Sequence, residues 1–505
     1  MSYDSVEYLF IFLPVVIFCY ALTPKKLKWI TLLIASYTFF FMFSGKLLGY
    51  LIATTLSIYM FAIGMERFPN HKKKICIIGI IVQLGMLGIL KYTNFTILNM
   101  NEIFKLLHLP VHIEKMKWLL PIGISFYTMQ AVSYLIDVHR KKLSADHHLG
   151  RLALYLAFFP QIMEGPIARY EDSALSLHEG KQITYLNLTY GAQRILWGMF
   201  KKLVIADRLN ALVKTVFDGY EQYSGIIIVI AALFYTIQLY ADFSGCIDIT
   251  LGSAEIFGIK LPENFRQPFF SKTVSEFWRR WHITLGTWFK DYVFYPVTLS
   301  KKMKKIKAFF KGHFGKQAGK MVPAVIALFA VWMCNGLWHG PKWTYIFFGF
   351  YYFVLIAGGT IAAPWFKQWT IKHHINTSSK RYYAMQITRT FLFVIVGELF
   401  FRATSLNAGF HMIASIFDFN LTQLWNGQLL SLGMDELDFL VIIVAIVIVL
   451  FVDILHEKRL SVRDLIASKP IAIRWTIYYA AILIVIIFGA YGGGYVAADI
   501  MYADF

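Results

Sequence analysis

Long apolar runs without charged residues dominate the chain. A helix that crosses the bilayer needs about 20 mostly apolar residues to cover about 30 Å of hydrocarbon. Runs near that length occupy 8–24, 29–45, 47–65, 75–90, 118–136, 222–241, 322–341, 343–366, 439–452 and 475–497, with a weaker one at 390–401. Because lipid cannot satisfy free backbone groups, these runs must be helical. The sequence therefore predicts an all-α polytopic membrane protein with about 10–12 transmembrane helices.

The composition agrees with one continuous membrane body. Of the 505 residues, 57% are hydrophobic and 16% are charged, whereas soluble domains carry about 25% charged residues. We expect a single domain over 1–505, with N-terminal spans in 1–145, a core in 146–366 and C-terminal spans in 367–505. Within that core, amphipathic pieces such as 190–209 are predicted to lie in the membrane interface, and others to re-enter the bilayer beside protein or a watery cavity.

Basic residues concentrate in short segments between the runs. The chain has 49 Lys+Arg against 30 Asp+Glu, a formal net charge of +19, and 301–320 holds eight lysines and no acid. Cytoplasmic loops carry such an excess, so 301–320, 367–389 and 456–474 are predicted to face the cytoplasm, with both chain ends outside. The same placement explains the charge without nucleic-acid binding. Asp4 and Glu7 precede the first run with no basic segment, which favours a retained anchor over a cleaved signal.

The run 322–341 contains the most informative polar pair. Asn335 and His339 are its only strongly polar side chains, and their spacing places them on one helix face. Gly340-Pro341 is predicted to end the helix, because the residue before proline avoids the α region. An ionisable residue inside a membrane indicates function by default, and a neutral imidazole can accept a proton from a hydroxyl. A purely structural hydrogen bond between helices is an equally acceptable interpretation.

The segment 275–296 is rich in tryptophan and basic residues. It contains Trp278, Trp281, Trp288, Arg279, Arg280 and His282. Tryptophan and arginine together are typical of a membrane interface, so an interfacial anchor is the simpler interpretation. Two adjacent arginines also suit an anionic group such as a phosphate.

Three further acidic residues fall within apolar surroundings. Asp242 and Asp248 end the run 222–241, where they are costly unless paired or wet. We expect them to brace an arginine of 275–296 or to line a polar tunnel. Glu398 and Arg402 have helical spacing and are predicted to form an internal ion pair.

Motifs of soluble-enzyme chemistry do not occur in the sequence. It has no phosphate-binding glycine loop and no nucleophile elbow. The four cysteines include no close pair, so the sequence predicts neither a metal site nor a redox site. His339 and His282 are therefore the leading candidates if the chain is an enzyme.

Several stretches, in order along the chain, resemble the membrane-bound O-acyltransferase family, in its alginate O-acetylation (AlgI-like) branch. They are PIGISFYTMQAVSYLIDVHR (121–140), FFPQIMEGPIARY (158–170), the segment 240–297, NGLWHGPKWTYIFFG (335–349) and the closing IMYADF (500–505). The resemblance implies that His339 matches the essential histidine of the family and His282 its second characteristic histidine. It also implies a helical body with a funnel or tunnel that meets both aqueous sides near His339.

The resemblance implies an acyl transfer across a bacterial cytoplasmic membrane. The acyl group, usually acetyl, comes from a cytoplasmic thioester such as acetyl-CoA, with no permanently bound cofactor and no metal. It is delivered through an extracytoplasmic esterase-like partner protein to a polysaccharide hydroxyl. We expect His339 and His282 to be catalytic, and the substrate-binding residues to be Asn335, Arg279, Arg280, Trp281 and Asp242.

Some features of the sequence leave specificity open. Pro341-Lys342 and Glu164 depart from the residues usual in the family at these places. The lysines of 301–320 either steer the phosphates of coenzyme A or contact anionic lipid. The main alternative function is D-alanyl transfer to teichoic acid, and a non-enzymatic transporter that uses Asp242, His339 and Glu398 as a polar path is a second alternative.

Overall fold

The computed structural model describes residues 2–491 and 495, so the closing IMYADF lies outside the described residues. Those residues fold into helices and connecting segments without a β-strand. The first half comprises α1 (Glu7–Leu22), α2 (Lys28–Ser44), α3 (Leu48–Arg67), α4 (Lys72–Leu106), α5 (Ile124–His139), α6 (Leu149–Ala157), α7 (Tyr170–His178), α8 (Tyr185–Met199), α9 (Asp207–Asp218) and α10 (Gly225–Ile256).

The second half begins with three short helices and continues with long ones. It comprises α11 (Val274–Arg280), α12 (Ile283–Phe289), α13 (Tyr295–Leu299), α14 (Lys301–His339), α15 (Trp343–Lys372), α16 (Lys380–Arg402), α17 (Leu406–Ser415), α18 (Glu436–Glu457), α19 (Val462–Ala467) and α20 (Ile471–Phe488). A π-helical segment, Phe200–Ala206, joins α8 to α9.

The prediction of an all-α polytopic membrane protein is confirmed. Within the described residues, 8 segments are long and apolar enough to cross a membrane, and the first of them contains both α2 and α3. The predicted run 118–136 was too long at its start, because α5 begins only at Ile124. Gly123 precedes it with φ 69°, and a Cβ there would lie 1.8 Å from the carbonyl oxygen of Ile162. The left-handed φ keeps Gly123 out of the helix, and the close approach of the Ile162 oxygen excludes a side chain there.

Helix α10 forms the centre of the body. In its most apolar stretch 67% of residues are buried, against 6% in the peripheral α20. Glycines let α8 lie directly against it: a Cβ on Gly198 would come within 2.5 Å of the Gly245 oxygen, and one on Gly191 within 2.6 Å of the Gly252 oxygen. Small residues at such contacts allow backbones to approach closely in a membrane.

The prediction that 190–209 lies in the interface is wrong, because this segment is built into the body. Its lysines Lys201 and Lys202 are 3% and 2% exposed. They face acidic residues of α10: Lys201 pairs with Asp248 at 2.7 Å and Lys202 with Asp242 at 2.8 Å. The polar face of the amphipathic pattern therefore meets charges inside the protein and not water.

The lysine-rich start of α14 is separate from the spanning part. Gly315 has φ 85° and ψ 172°, which interrupts the helix. The chain then folds back, since a Cβ on Gly319 would lie 2.7 Å from Cβ of Lys311. The membrane-crossing portion of α14 thus begins after Gly315 and ends at His339.

Candidate active site

His339 is the last residue of α14, as the sequence predicted. Gly340 leaves the helix with φ 161° and ψ 173°, ahead of Pro341. Both His339 and Asn335 are buried, at 5% and 6% exposure. Asn335 and His339 therefore lie on one helix, as their spacing predicts, and the end of that helix is inside the protein.

Aromatic rings surround the imidazole of His339. Its ring centroid lies 5.0 Å from Trp338, 5.1 Å from Phe401 and 5.7 Å from Phe348. These rings come from α14, α15 and α16, so three helices define the position of the histidine. Among the described residues, the buried Asn335 Oδ1 has no hydrogen-bond partner, which leaves an amide acceptor on the same helix face available to a substrate.

Close backbone contact between α14 and α15 makes this end of the helix rigid. A Cβ on Gly336 would lie 2.4 Å from the oxygen of Tyr345, and one on Gly349 would lie 2.3 Å from the oxygen of Trp332. No side chain fits at either position, so the glycines allow the helices to touch. The backbone that carries Asn335 and His339 consequently has little freedom to move.

His282 lies at the junction of α11 and α12 in a left-handed conformation, with φ 44°. Its Nδ1 is 3.2 Å from Oδ1 of Asn264, an oxygen that also accepts from the backbone N–H of Thr284 at 3.0 Å. Since a carbonyl oxygen only accepts, Nδ1 carries the proton and the neutral ring keeps its acceptor at Nε2. Burial lowers the pKa of His282 to about 3, so the ring stays neutral at physiological pH.

The structure brings the two predicted histidines to one aromatic cluster. The Trp338 ring lies 5.7 Å from His282 and 5.0 Å from His339, measured between centroids, and the two imidazoles interact electrostatically. Phe243 packs edge-on against His282 at 4.9 Å. We call His339, His282, Trp338 and Asn335 the histidine cluster.

Other residues predicted to bind substrate lie apart from one another. Arg280 forms ion pairs with Glu276 and Glu457, whereas Arg279 is exposed and donates to Ser275 at 3.2 Å. The two arginines therefore do not converge on one anion. Trp281 is buried and stacks on Phe277.

Asp242 pairs with a lysine, so the expectation that the two aspartates brace an arginine of 275–296 is wrong, whereas Asp248 does line a cavity, as the second expectation for these residues had it. Lys202 lies between Asp242 at 2.8 Å and Asp207 at 2.9 Å. Asp248 pairs with Lys201 and, at 2.9 Å, with Arg194 of α8. We call Lys202, Asp242 and Asp207, with the neighbouring Glu164, the lysine network.

The predicted ion pair of Glu398 with Arg402 is also wrong. Arg402 pairs with Asp218 at 3.2 Å. Glu398 is buried at 3% exposure and has no ion pair within residues 2–491. Helical spacing fixed which residues share a face but not which neighbouring helix supplies the partner.

Lys91 of α4 is a residue of the site that the sequence analysis missed. It is 4% exposed, and its Nζ donates to the carbonyl oxygen of Trp338 at 2.6 Å and to Ser125 Oγ at 3.3 Å. It also interacts electrostatically with His339. The only signal in the sequence is that apolar residues continue beyond this lysine, which directly follows the uncharged run 75–90.

A cavity of about 650 Å³ lies between α8, α10, α18 and α20, and none of the four residues of the histidine cluster is among those that line it. Its inner wall includes Ser244 and Ile283, each adjacent in sequence to the Phe243–His282 contact. Its outer end is formed by polar residues of the segment 456–466.

Across the described residues, no group of three or more His, Cys, Asp or Glu side chains has the geometry to hold a metal ion.

Comparison with known proteins agrees with this architecture. The model of the membrane-bound O-acyltransferase family matches residues 76–311. A probable alginate O-acetylase of Pseudomonas aeruginosa is 32% identical over 440 residues, which cover 84% of this chain and 76% of that protein.

Two relatives carry other names. A peptidoglycan O-acetyltransferase of Helicobacter pylori is 29% identical over 83% of this chain and 80% of its own length. A teichoic acid D-alanyltransferase of Bacillus subtilis is 31% identical over only 55% of this chain and 68% of its own length. The chain is an acyltransferase and belongs to the membrane-bound O-acyltransferase family, in the branch of the alginate O-acetylases.

Proposed function

We propose that the protein transfers an acetyl group from a cytoplasmic thioester, acetyl-CoA, across the membrane for O-acetylation of an extracytoplasmic polysaccharide. The observation that carries the proposal is the convergence of His282 and His339 on Trp338 inside a helical membrane body. A thioester is already activated, so the protein has to position two substrates and move one proton. Positioning and general-base catalysis together supply several powers of ten in rate.

His339 is the general base in this proposal. Its ring nitrogen takes the proton of the acceptor hydroxyl while the oxygen attacks the thioester carbonyl carbon. The carbon–sulfur bond then breaks, and the leaving thiolate receives that proton from the imidazolium. Asn335 holds the acceptor through its amide, and His282, whose proton is fixed on Nδ1 by Asn264, presents Nε2 toward the donor.

The cavity between α8, α10, α18 and α20 is the proposed donor entrance. Arg266 and Arg459 line it and are exposed, and neither forms an ion pair within residues 2–491. They suit the phosphates of coenzyme A. The outer end belongs to 456–474, which the charge pattern assigns to the cytoplasm together with an extracytoplasmic N-terminus.

The proposed acceptor polymer is based on the names of the relatives. Alginate and peptidoglycan both offer sugar hydroxyls outside the cytoplasmic membrane, so the acceptor is proposed to be such a polymer, reached through an esterase-like partner protein. D-Alanyl transfer to teichoic acid is less well supported, because that relative matches only 55% of this chain.

Inside-out vesicles that contain the full chain provide the test. With acetyl-CoA labelled in the acetyl group, label should pass to enclosed polymer or partner in wild-type vesicles and not in His339→Ala vesicles with equal amounts of inserted protein. Wild-type vesicles that transfer no label, or that transfer D-alanine from a loaded carrier protein instead, would contradict acetyl transfer.

A further inference from the structure

The C-terminal end of α14, which lies inside the protein, has backbone carbonyls that the helix itself cannot satisfy. The last four carbonyls of any helix lack an N–H partner from the next turn. The Leu337 oxygen would normally accept from residue 341, but Pro341 has no N–H. Leu337 and Trp338 directly precede His339, so whatever binds their carbonyls also holds the backbone that carries the histidine.

Two consecutive residues of α4 bind these two carbonyls. Lys91 Nζ donates to the Trp338 oxygen at 2.6 Å, and the Tyr92 hydroxyl donates to the Leu337 oxygen. Two neighbouring side chains of α4 thus take the place of the missing backbone donors at two neighbouring carbonyls of α14. A cation is also the favoured group at a helix C-terminus, where the partial charge is negative.

The surroundings of Lys91 fix its ammonium group in place. The side chain is almost fully buried, and Ser125 Oγ at the start of α5 accepts a second hydrogen bond at 3.3 Å. Placing an ammonium group at membrane depth is costly. A lysine that faced lipid or packed on aliphatic side chains would have nothing to offset this cost, whereas here Lys91 Nζ hydrogen-bonds to the carbonyl oxygen of Trp338, the residue before His339.

We propose that Lys91 and Tyr92 form a capping pair that positions His339 for proton transfer. They are positioning residues, since they act through the backbone of α14 and not on the substrate. The proposal rests on the proposed role of His339 as the base. A displacement of about 1 Å at a catalytic group can cost about 10²-fold in rate.

The test compares Lys91→Met with Lys73→Met, which removes an exposed lysine from the same helix. Acetyl transfer is measured in inside-out vesicles per molecule of folded protein, counted by fluorescence-detected size exclusion. Lys91→Met should lower kcat about 10²-fold, with the KM for acetyl-CoA within about threefold. Tyr92→Phe removes one neutral hydrogen bond and should cost about fivefold, and Lys91→Arg should recover most of the loss.

Two further measurements separate this inference from the proposed function. In a His339→Gln background, Lys91→Met should cause almost no additional loss, because residues that act as one unit are not additive. Hydrogen–deuterium exchange of the peptide 331–345 should rise in Lys91→Met and stay at the wild-type level in Lys73→Met.

Each outcome has one meaning. Equal turnover of the Lys91→Met and Lys73→Met proteins, or a full 10²-fold loss again in the His339→Gln background, would overturn positioning through His339. Unchanged exchange in Lys91→Met would overturn the cap itself. Full activity of His339→Gln alone would instead contradict the proposed function. If Lys91→Met yields no folded protein, Tyr92→Phe decides the same question.

Discussion

The lysine network and the histidine cluster are both polar, both buried and both built against the central part of the body, yet they are organised in opposite ways. In the lysine network Lys202 lies between two carboxylates at 2.8 and 2.9 Å. In the histidine cluster, aromatic rings lie around two imidazoles, and the hydrogen-bond partner of His282 is the neutral amide of Asn264. The first arrangement pairs a cation with two carboxylates, and the second places two imidazoles among aromatic rings and a neutral amide.

This difference separates structural from chemical use of buried polar residues. A paired charge in low dielectric is stable only while its partners stay in place, so it holds helices in register. A neutral imidazole can accept a proton at its unprotonated ring nitrogen and return it, which suits acid–base chemistry. The lysine network joins α9 and α10, whereas the histidine cluster includes His282, whose chain neighbour Ile283 lines the cavity.

Lys202→Met gives the largest expected effect in this comparison. It leaves two buried carboxylates without their cation, which typically costs about 3–5 kcal/mol of folding free energy. The yield of monodisperse protein after detergent extraction and its melting temperature should both fall sharply. Molecules that remain folded should retain most of their acetyl transfer, and a selective loss of turnover at normal yield would place this lysine in the chemistry.

His282→Gln tests the donor side of the histidine cluster. The glutamine removes the ring that packs on Trp338 and Phe243 and the proposed group facing the thioester. We expect kcat/KM for acetyl-CoA to fall about 10²-fold, with little change in melting temperature. His373→Gln, at an exposed position, is the matched control. A strong loss of folded protein with normal turnover would indicate that His282 has only a packing role.

Glu164→Gln reports on the lysine network through the pH dependence of stability. Burial, and then repulsion from Asp242, raise the pKa of Glu164 from 4.5 to about 8. A carboxyl with a raised pKa stabilises the fold most below its unfolded pKa, and this contribution is lost as pH rises toward the folded value. The melting temperature of wild type should therefore fall relative to Glu164→Gln between pH 5 and pH 8 and then stay level. A constant difference across that range would contradict the protonated state.

The sequence predicted the features that depend on local pattern. Apolar runs located most spans, and Asn335, His339 and Gly340-Pro341 predicted the helix face and its end. Features that depend on which helices become neighbours were missed. Glu398 has the right spacing to pair with Arg402, but α9 lies close to α16 and its Asp218 forms the ion pair with Arg402.

Charge near an apolar run was the least reliable signal in the sequence. The uncharged run 75–90 predicts that the span ends before Lys91, because lysine is costly in lipid, yet α4 continues to Leu106 and points this lysine into the site. The charges of 190–209 likewise favour a place in the membrane interface. In both cases, a partner on another helix compensates the charge, and a single sequence does not show that partner.

The most direct test of this account is the acetyl transfer per folded molecule of His339→Gln, measured alongside Lys202→Met. The account predicts that His339→Gln keeps the wild-type yield and melting temperature while its transfer falls about 10³-fold, within the range of a lost general base. Lys202→Met should show the reverse, with low yield and nearly normal transfer per molecule. Wild-type transfer by His339→Gln would contradict the central claim that the histidine cluster performs the chemistry.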